Sequence, residues 1–239
     1  MKVSSAYRNQ VQFFLDSADI KEVRRFTAFG LVDGVTTNPS LISKLGVDCF
    51  EKVRLVMQLV EGPVSMQITE TNYASALAQA EFLSKLGDNV VVKVPFSENA
   101  YEIASALVAH NIPVNLTSVF NVGQAIPFFR LGIDYVSVIC GVRKEYSPGE
   151  RDLLDPFVRA RARVQSETKL IGASIRNIED LCDSLLAGAD ILTIPPSTWD
   201  AMFADPRTLV TSQRFANDWN RIPKRERVLF TANSKGNSQ

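Results

Sequence analysis

The chain is poor in the residues that build metal sites and disulfides: 239 residues contain one histidine and three cysteines. It also has no excess of charge of either sign, with 26 Lys and Arg against 26 Asp and Glu. Each scarcity excludes something. His110 stands alone, and Cys49, Cys140 and Cys182 are far apart with no Cys-x-x-Cys spacing, so neither a zinc site nor a disulfide framework can be assembled. Reduced thiols are the expectation. A formal net charge of zero argues against a nucleic-acid partner, because gripping many phosphates needs a basic surface. No run reaches the roughly 18 consecutive apolar residues of a membrane span, and residues 1–10 lack the apolar core of a secretion signal. No membrane partner and a cytoplasmic location are therefore expected. The first strand candidate is not followed by the Gly-rich turn that cradles a dinucleotide, and no cofactor or metal is expected.

What the sequence does contain is a repeated alternation. Short runs rich in β-branched residues are followed by longer stretches whose apolar residues recur at helical spacing, the signature of βα units. Eight strand candidates occupy 12–17, 34–37, 63–69, 90–94, 113–119, 135–140, 169–175 and 190–194. Among the helices, Asn72 starts a run over 73–86 that stops at Gly87, and Asn177 starts one over 178–187 that stops at Gly188. Eight units in one chain of this length predict an α/β fold of the closed (β/α)8 type, a TIM barrel, in one domain over residues 11–222. An extra C-terminal amphipathic helix is predicted over 209–222, carrying Leu209, Phe215, Trp219 and Ile222 and suited to contact between subunits. Residues 1–10 and 223–239 show no periodic apolar face and are expected to be mobile tails. Arg159, Arg161 and Arg163 alternate with small residues in a helix candidate and read as a solvated face.

Strands in such a barrel are covered on both faces, so an inward polar side chain is costly unless it is hydrogen-bonded or used in chemistry. Lys93 is the sharpest case, inside Val90-Val91-Val92-Lys93-Val94-Pro95. A desolvated lysine has its pKa pushed down, which frees neutral amine to add to a carbonyl. The bland alternative is an outward lysine that snorkels to solvent. The other strands repeat the pattern. Asp16 ends Phe13-Phe14-Leu15-Asp16, Gln67 sits in Ser65-Met66-Gln67-Ile68, and Asn115 and Thr117 share a face because side chains alternate. Thr36, Asn38, Ser137 and Ser174 fall at comparable positions. Arg176, after the seventh strand, sits where barrels commonly hold a phosphate. Singly, each serine or threonine reads as structural; together they form a polar mouth. The residue types point to an imine-forming enzyme that acts on a small phosphorylated carbonyl compound.

These segments resemble the transaldolase and fructose-6-phosphate aldolase family of class I aldolases in its short, single-domain form. The resemblance is carried by Phe14-Leu15-Asp16-Ser17-Ala18, Gly34-Val35-Thr36-Thr37-Asn38-Pro39-Ser40, Val91-Val92-Lys93-Val94-Pro95, Asn115-Leu116-Thr117 and Gly172-Ala173-Ser174-Ile175-Arg176-Asn177. It implies that Lys93 forms a Schiff base with a ketose phosphate and that Asp16 serves as acid and base. It further implies that Asn38 and Asn115 orient the substrate, Thr117 and residue 67 handle water, and Ser174 with Arg176 holds phosphate. Sugar phosphates as partners and a homo-oligomer, commonly of five or ten subunits, come with the same resemblance. Two departures stand out. Gln67 replaces the glutamate usual in transaldolases, as it does in the aldolases. After the sixth strand, the family's Pro- and aromatic-containing motif becomes Ser137-Val138-Ile139-Cys140-Gly141-Val142-Arg143, with the arginine, a further candidate for binding the substrate phosphate, one place late. The expected activity is transaldolase-type transfer of a dihydroxyacetone unit between sugar phosphates, with fructose-6-phosphate aldolase and a non-catalytic binder of sugar phosphates as the alternatives.

Overall fold

Runs such as Val90–Pro95 bury both faces, and a strand covered on both sides needs a second layer of structure on each. The chain supplies this by curling its strands into a ring. In the computed structural model, which describes residues 11–141 and 153–231, the strands are β1 (Gln12–Asp16), β2 (Gly34–Thr36), β3 (Val64–Gln67), β4 (Val90–Pro95), β5 (Val114–Val119), β6 (Tyr135–Ile139), β7 (Lys169–Ala173) and β8 (Ile191–Ile194). Every neighbour is parallel, and β1 pairs with β8, so the sheet closes in sequential order as a barrel. All eight expected strands form, each within two residues of the expected bounds.

Parallel neighbours require a crossover, and helices provide it. They are α1 (Ile20–Thr27), α2 (Pro39–Ser43), α3 (Cys49–Leu59), α4 (Tyr73–Ser84), α5 (Ala100–Ala109), α6 (Val122–Leu131), α7 (Asp155–Arg163), α8 (Ile178–Leu186) and α9 (Pro196–Phe203). Side-chain caps fix several starts: Asp19, Asn72 and Asn177 each accept a backbone N–H from the first turn. Helix α4 stops at Ser84 with Lys85 as its cap, so Gly87 lies beyond the end and not at it. The described residues divide into two compact units, one ending at Trp199 and the other beginning at Asp200. The second unit contains α10 (Pro206–Arg221), which starts three residues before its expected position because Asp205 caps it and Pro206 occupies its first turn. It also contains α11 (Lys224–Thr231), a helix within the stretch whose sequence shows no periodic apolar face.

The first unit has two apolar compartments. The larger lies between strands and helices and includes Leu15, Val35, Val92, Leu116 and Phe157. The smaller fills the inside of the barrel with Phe14, Ile171 and Ile191, against which Tyr135 packs. It forms a plug two residues below Asp16 along β1. Packing there is tight: a Cβ at Gly34 would meet the Phe14 ring and the Pro63 carbonyl oxygen, each at 2.7 Å. Arg161 corrects the expectation of a solvated face. Its side chain is only 19% exposed, it pairs with Asp190, and it donates to the Thr168 carbonyl at 3.1 Å. It ties α7 to the start of β8, whereas Arg159, paired with Asp155, and Arg163 are exposed as expected.

The interior plug predicts that Gly34→Ala destabilises the barrel by about 1–3 kcal/mol, the usual cost of overpacking. Urea unfolding should show the lower midpoint, and an unchanged midpoint would contradict the packing.

Candidate active site

Alternation along each strand turns every second side chain inward. The register sets these residues side by side: Asp16 lies opposite Thr36, Thr36 opposite Ser65, Gln67 opposite Lys93, Lys93 opposite Asn115, and Pro95 opposite Thr117. Two rungs result. One runs Asp16, Thr36, Ser65 across β1 to β3, and the other runs Gln67, Lys93, Asn115 across β3 to β5.

Lys93 is 7% exposed, so it does not snorkel. Its Nζ donates to the Thr37 backbone carbonyl at 3.1 Å. Burial pushes its pKa below 10.5, and the negative charge of Asp16 opposes that shift. Asp16 is partly buried, and desolvation raises its carboxyl above the usual 3.8; Lys93, the Thr36 hydroxyl and then Lys44 pull it back. Each member of the pair is thus held away from its charged form by lack of water and toward it by the other. A lysine whose neutral amine is favoured by burial and a carboxylate beside it have the chemistry of a nucleophile and an acid–base group.

Beneath this pair the polar groups are satisfied by one another. Thr36 donates to Asp16 Oδ1 at 2.7 Å. Asn115, fully buried, donates through Nδ2 to Ser65 Oγ at 3.1 Å and accepts from Ser137 Oγ at 2.9 Å. Asn115 and Ser137, expected to meet substrate, therefore spend these bonds on the barrel interior. Asn38 is likewise committed in part, since its Oδ1 caps α2 by accepting the Leu41 N–H at 3.0 Å. Thr117 is buried at the end of β5, where the register with β6 shifts and Ser118 adopts a left-handed φ of 57°.

Ser174 follows β7 with φ of 61°, a conformation that costs energy for a non-glycine residue and is common at functional sites. A Cβ at Gly141 would lie 1.9 Å from the Ser174 carbonyl oxygen, so only glycine lets the segments after β6 and β7 touch. Arg176 is exposed, and its backbone N–H is taken by Asp180 at 3.1 Å. An anion here would have to use the Arg176 guanidinium and the Ser174 hydroxyl, not that amide. Arg143 lies outside the described residues. Among the described residues, no group of three His, Cys, Asp or Glu side chains is placed to hold a metal ion, and no helix is long and apolar enough to cross a membrane.

The model of the transaldolase/fructose-6-phosphate aldolase family matches residues 13–235. The chain belongs to this family. It is 34% identical over 215 residues to a probable transaldolase of Aquifex aeolicus, covering 90% of this chain and 99% of that protein. It is also 34% identical over 209 residues to a probable transaldolase of Sinorhizobium medicae, covering 87% of this chain and 96% of that one. Among solved structures, a mandelate oxidase variant with an FMN adduct superposes with a TM-score of 0.52 at 18% identity. That match covers 79% of this chain, which spans 64% of the oxidase chain, and the likeness is one of fold alone.

Three groups that serve the site escape the sequence reading. Ser65 sits two residues before Gln67 on the same strand face, a signal available in the alternation. Thr193 is a hydroxyl inside Ile191-Leu192-Thr193-Ile194, the same kind of signal that exposes Lys93. The Thr37 carbonyl is backbone and leaves no mark in the sequence.

The buried amine predicts a trade between stability and function. Between its lowered folded-state pKa and 10.5, Lys93 holds a proton in the unfolded chain more than in the folded one, so stability rises with pH across that window. At pH 7 the desolvation of Lys93 weakens the fold. Lys93→Met should therefore melt a few degrees (~2–4 °C) above the parent by calorimetry at pH 7. A lower melting temperature would show that the ammonium stabilises the barrel.

Proposed function

We propose that this chain is a transaldolase-type enzyme that moves a dihydroxyacetone unit from fructose 6-phosphate or sedoheptulose 7-phosphate to an aldose phosphate. The observation that carries the reading is the desolvated Lys93 amine facing Asp16 inside the barrel. In this reading the Lys93 Nζ adds to the C2 carbonyl of the ketose, and loss of water leaves an iminium that draws electrons from the adjacent bonds. Thr117 and Gln67 hold the water that leaves and returns. Asp16 takes the proton from the C4 hydroxyl as the C3–C4 bond breaks, which releases an aldose phosphate and leaves an enamine on Lys93. The enamine then attacks the carbonyl of the acceptor aldose, Asp16 returns the proton, and hydrolysis frees the new ketose. Ser174 and Arg176 hold the phosphate, and Asn38 orients the substrate hydroxyls with its Nδ2. Asn115 and Ser137 keep the floor of the site in position. The reaction is internally balanced in electrons and protons.

Gln67 favours a second reading. Beside Lys93 in the ladder stands an amide that holds water without exchanging protons. In that case the enamine is protonated and hydrolysed, and the enzyme is a fructose-6-phosphate aldolase. Borohydride added during incubation with fructose 6-phosphate should fix an adduct on the Lys93 peptide, which peptide mapping detects. Lys93→Met should yield neither adduct nor turnover, and turnover in that variant would sink the mechanism. Glyceraldehyde 3-phosphate appearing without an aldose acceptor would decide for the aldolase.

Residues such as Leu209, Val210 and Phe215 of α10 are exposed, and other copies of this chain are the proposed partners for them. We place the enzyme in the cytoplasm, where the thiols of Cys49, Cys140 and Cys182 stay reduced. Light scattering should give a multiple of the 26.5 kDa chain mass, five or ten, and a monomer would overturn the assembly.

A further inference from the structure

Thr193 is 3% exposed in a strand that is otherwise apolar. Its Oγ1 lies 2.5 Å from Thr36 Oγ1. Strand β1 lies between β2 and β8 in the barrel, so the two hydroxyls meet across the interior face of β1, the strand that carries Asp16. Each hydroxyl has one proton to give. The Thr36 proton goes to Asp16 Oδ1 at 2.7 Å, so the contact with Thr193 is made by the Thr193 proton.

We propose that Thr193 is a positioning residue of the reaction: it donates to Thr36, and so fixes the Thr36 hydroxyl as a donor to Asp16 and keeps Asp16 a proton acceptor. The chain has one favoured polarity. If Asp16 were protonated and donated to Thr36, and Thr36 in turn to Thr193, the Thr193 proton would have no acceptor among the described residues. Run the other way, every proton is used. Hydrogen bonds in such a chain polarise one another, and donors aimed at a carboxylate favour its ionised form. This offsets the desolvation that pushes Asp16 toward the neutral acid. The charged groups acting on Asp16 are Lys93 from β4 and Lys44 directly after α2, and neither touches Thr193 through any bond in the structure.

The inference rests on Lys93 and Asp16 acting as described under the proposed function. Its test is the pH profile of kcat for Thr193→Val, which keeps the side-chain shape without the donor, beside Thr193→Ser, which keeps the donor. Thr193→Ala carries the same readout should the valine variant not fold. Loss of the donor should move the acidic limb of kcat upward by roughly half a pH unit and lower kcat about 3- to 10-fold near neutral pH. KM and borohydride trapping on Lys93 should stay near the parent's. Thr193→Ser should restore the limb. A limb that does not move in the donorless variants would overturn the proposal, as would a serine variant as impaired as the valine one, which would mark a packing role. No trapping on Lys93 even in the parent would overturn the underlying mechanism and the proposal with it.

Discussion

The exclusion of water from the Lys93 amine is the constraint on which the rest of the structure depends. An ammonium buried inside the barrel would abandon the charged form unless something held it, and its Nζ donates to one backbone carbonyl while one carboxylate acts on its charge. Asp16 suffers the same desolvation and is steadied by Lys93 and by Thr36. Neither group is comfortable alone. In the proposed mechanism, that mutual dependence makes the amine available as a nucleophile and keeps beside it the carboxylate that accepts a proton one step later.

The barrel supports this pair with polar side chains that bond to one another. The Phe14, Ile171 and Ile191 plug closes the interior below, and Ser65, Asn115 and Ser137 spend their hydrogen-bonding groups on one another. A floor of this kind resists reorganisation when charge develops above it, which is where preorganised sites gain most of their effect. The left-handed backbone at Ser118 and Ser174 lies just past this floor, at the ends of β5 and β7. At Ser118 the left-handed residue coincides with the shift in register between β5 and β6.

Much of this was legible before any coordinates. Parallel strands in a closed barrel leave a plain record, because both of their faces are apolar and any lysine, amide or carboxylate among them must have a reason. On that ground Lys93, Asp16, Gln67 and Thr117 stand out as candidates, and the ladder brings Gln67 and Lys93 together. Elsewhere a residue's partner, which the linear sequence does not show, decides its role. Asn38 can face a substrate or cap a helix, and the Leu41 N–H takes part of it for the cap. Arg161 alternates with alanines like any surface arginine, yet reaches Asp190, which is distant in sequence. Helix α11 has little apolar periodicity to announce it, and the start of α10 turns on the Asp205 cap. Thr193 was visible by the rule that found Lys93, but a single hydroxyl in a strand is common enough to pass as structural.

The most direct test of the account is the titration of Lys93 itself, followed by NMR of the reductively 13C-methylated protein with Lys93→Met to assign the signal. Desolvation predicts a transition well below the ordinary 10.5 of a lysine, moving lower still in Asp16→Asn, where the opposing charge is gone. A Lys93 that titrates at or above 10.5 would contradict the claim that burial makes this amine a nucleophile.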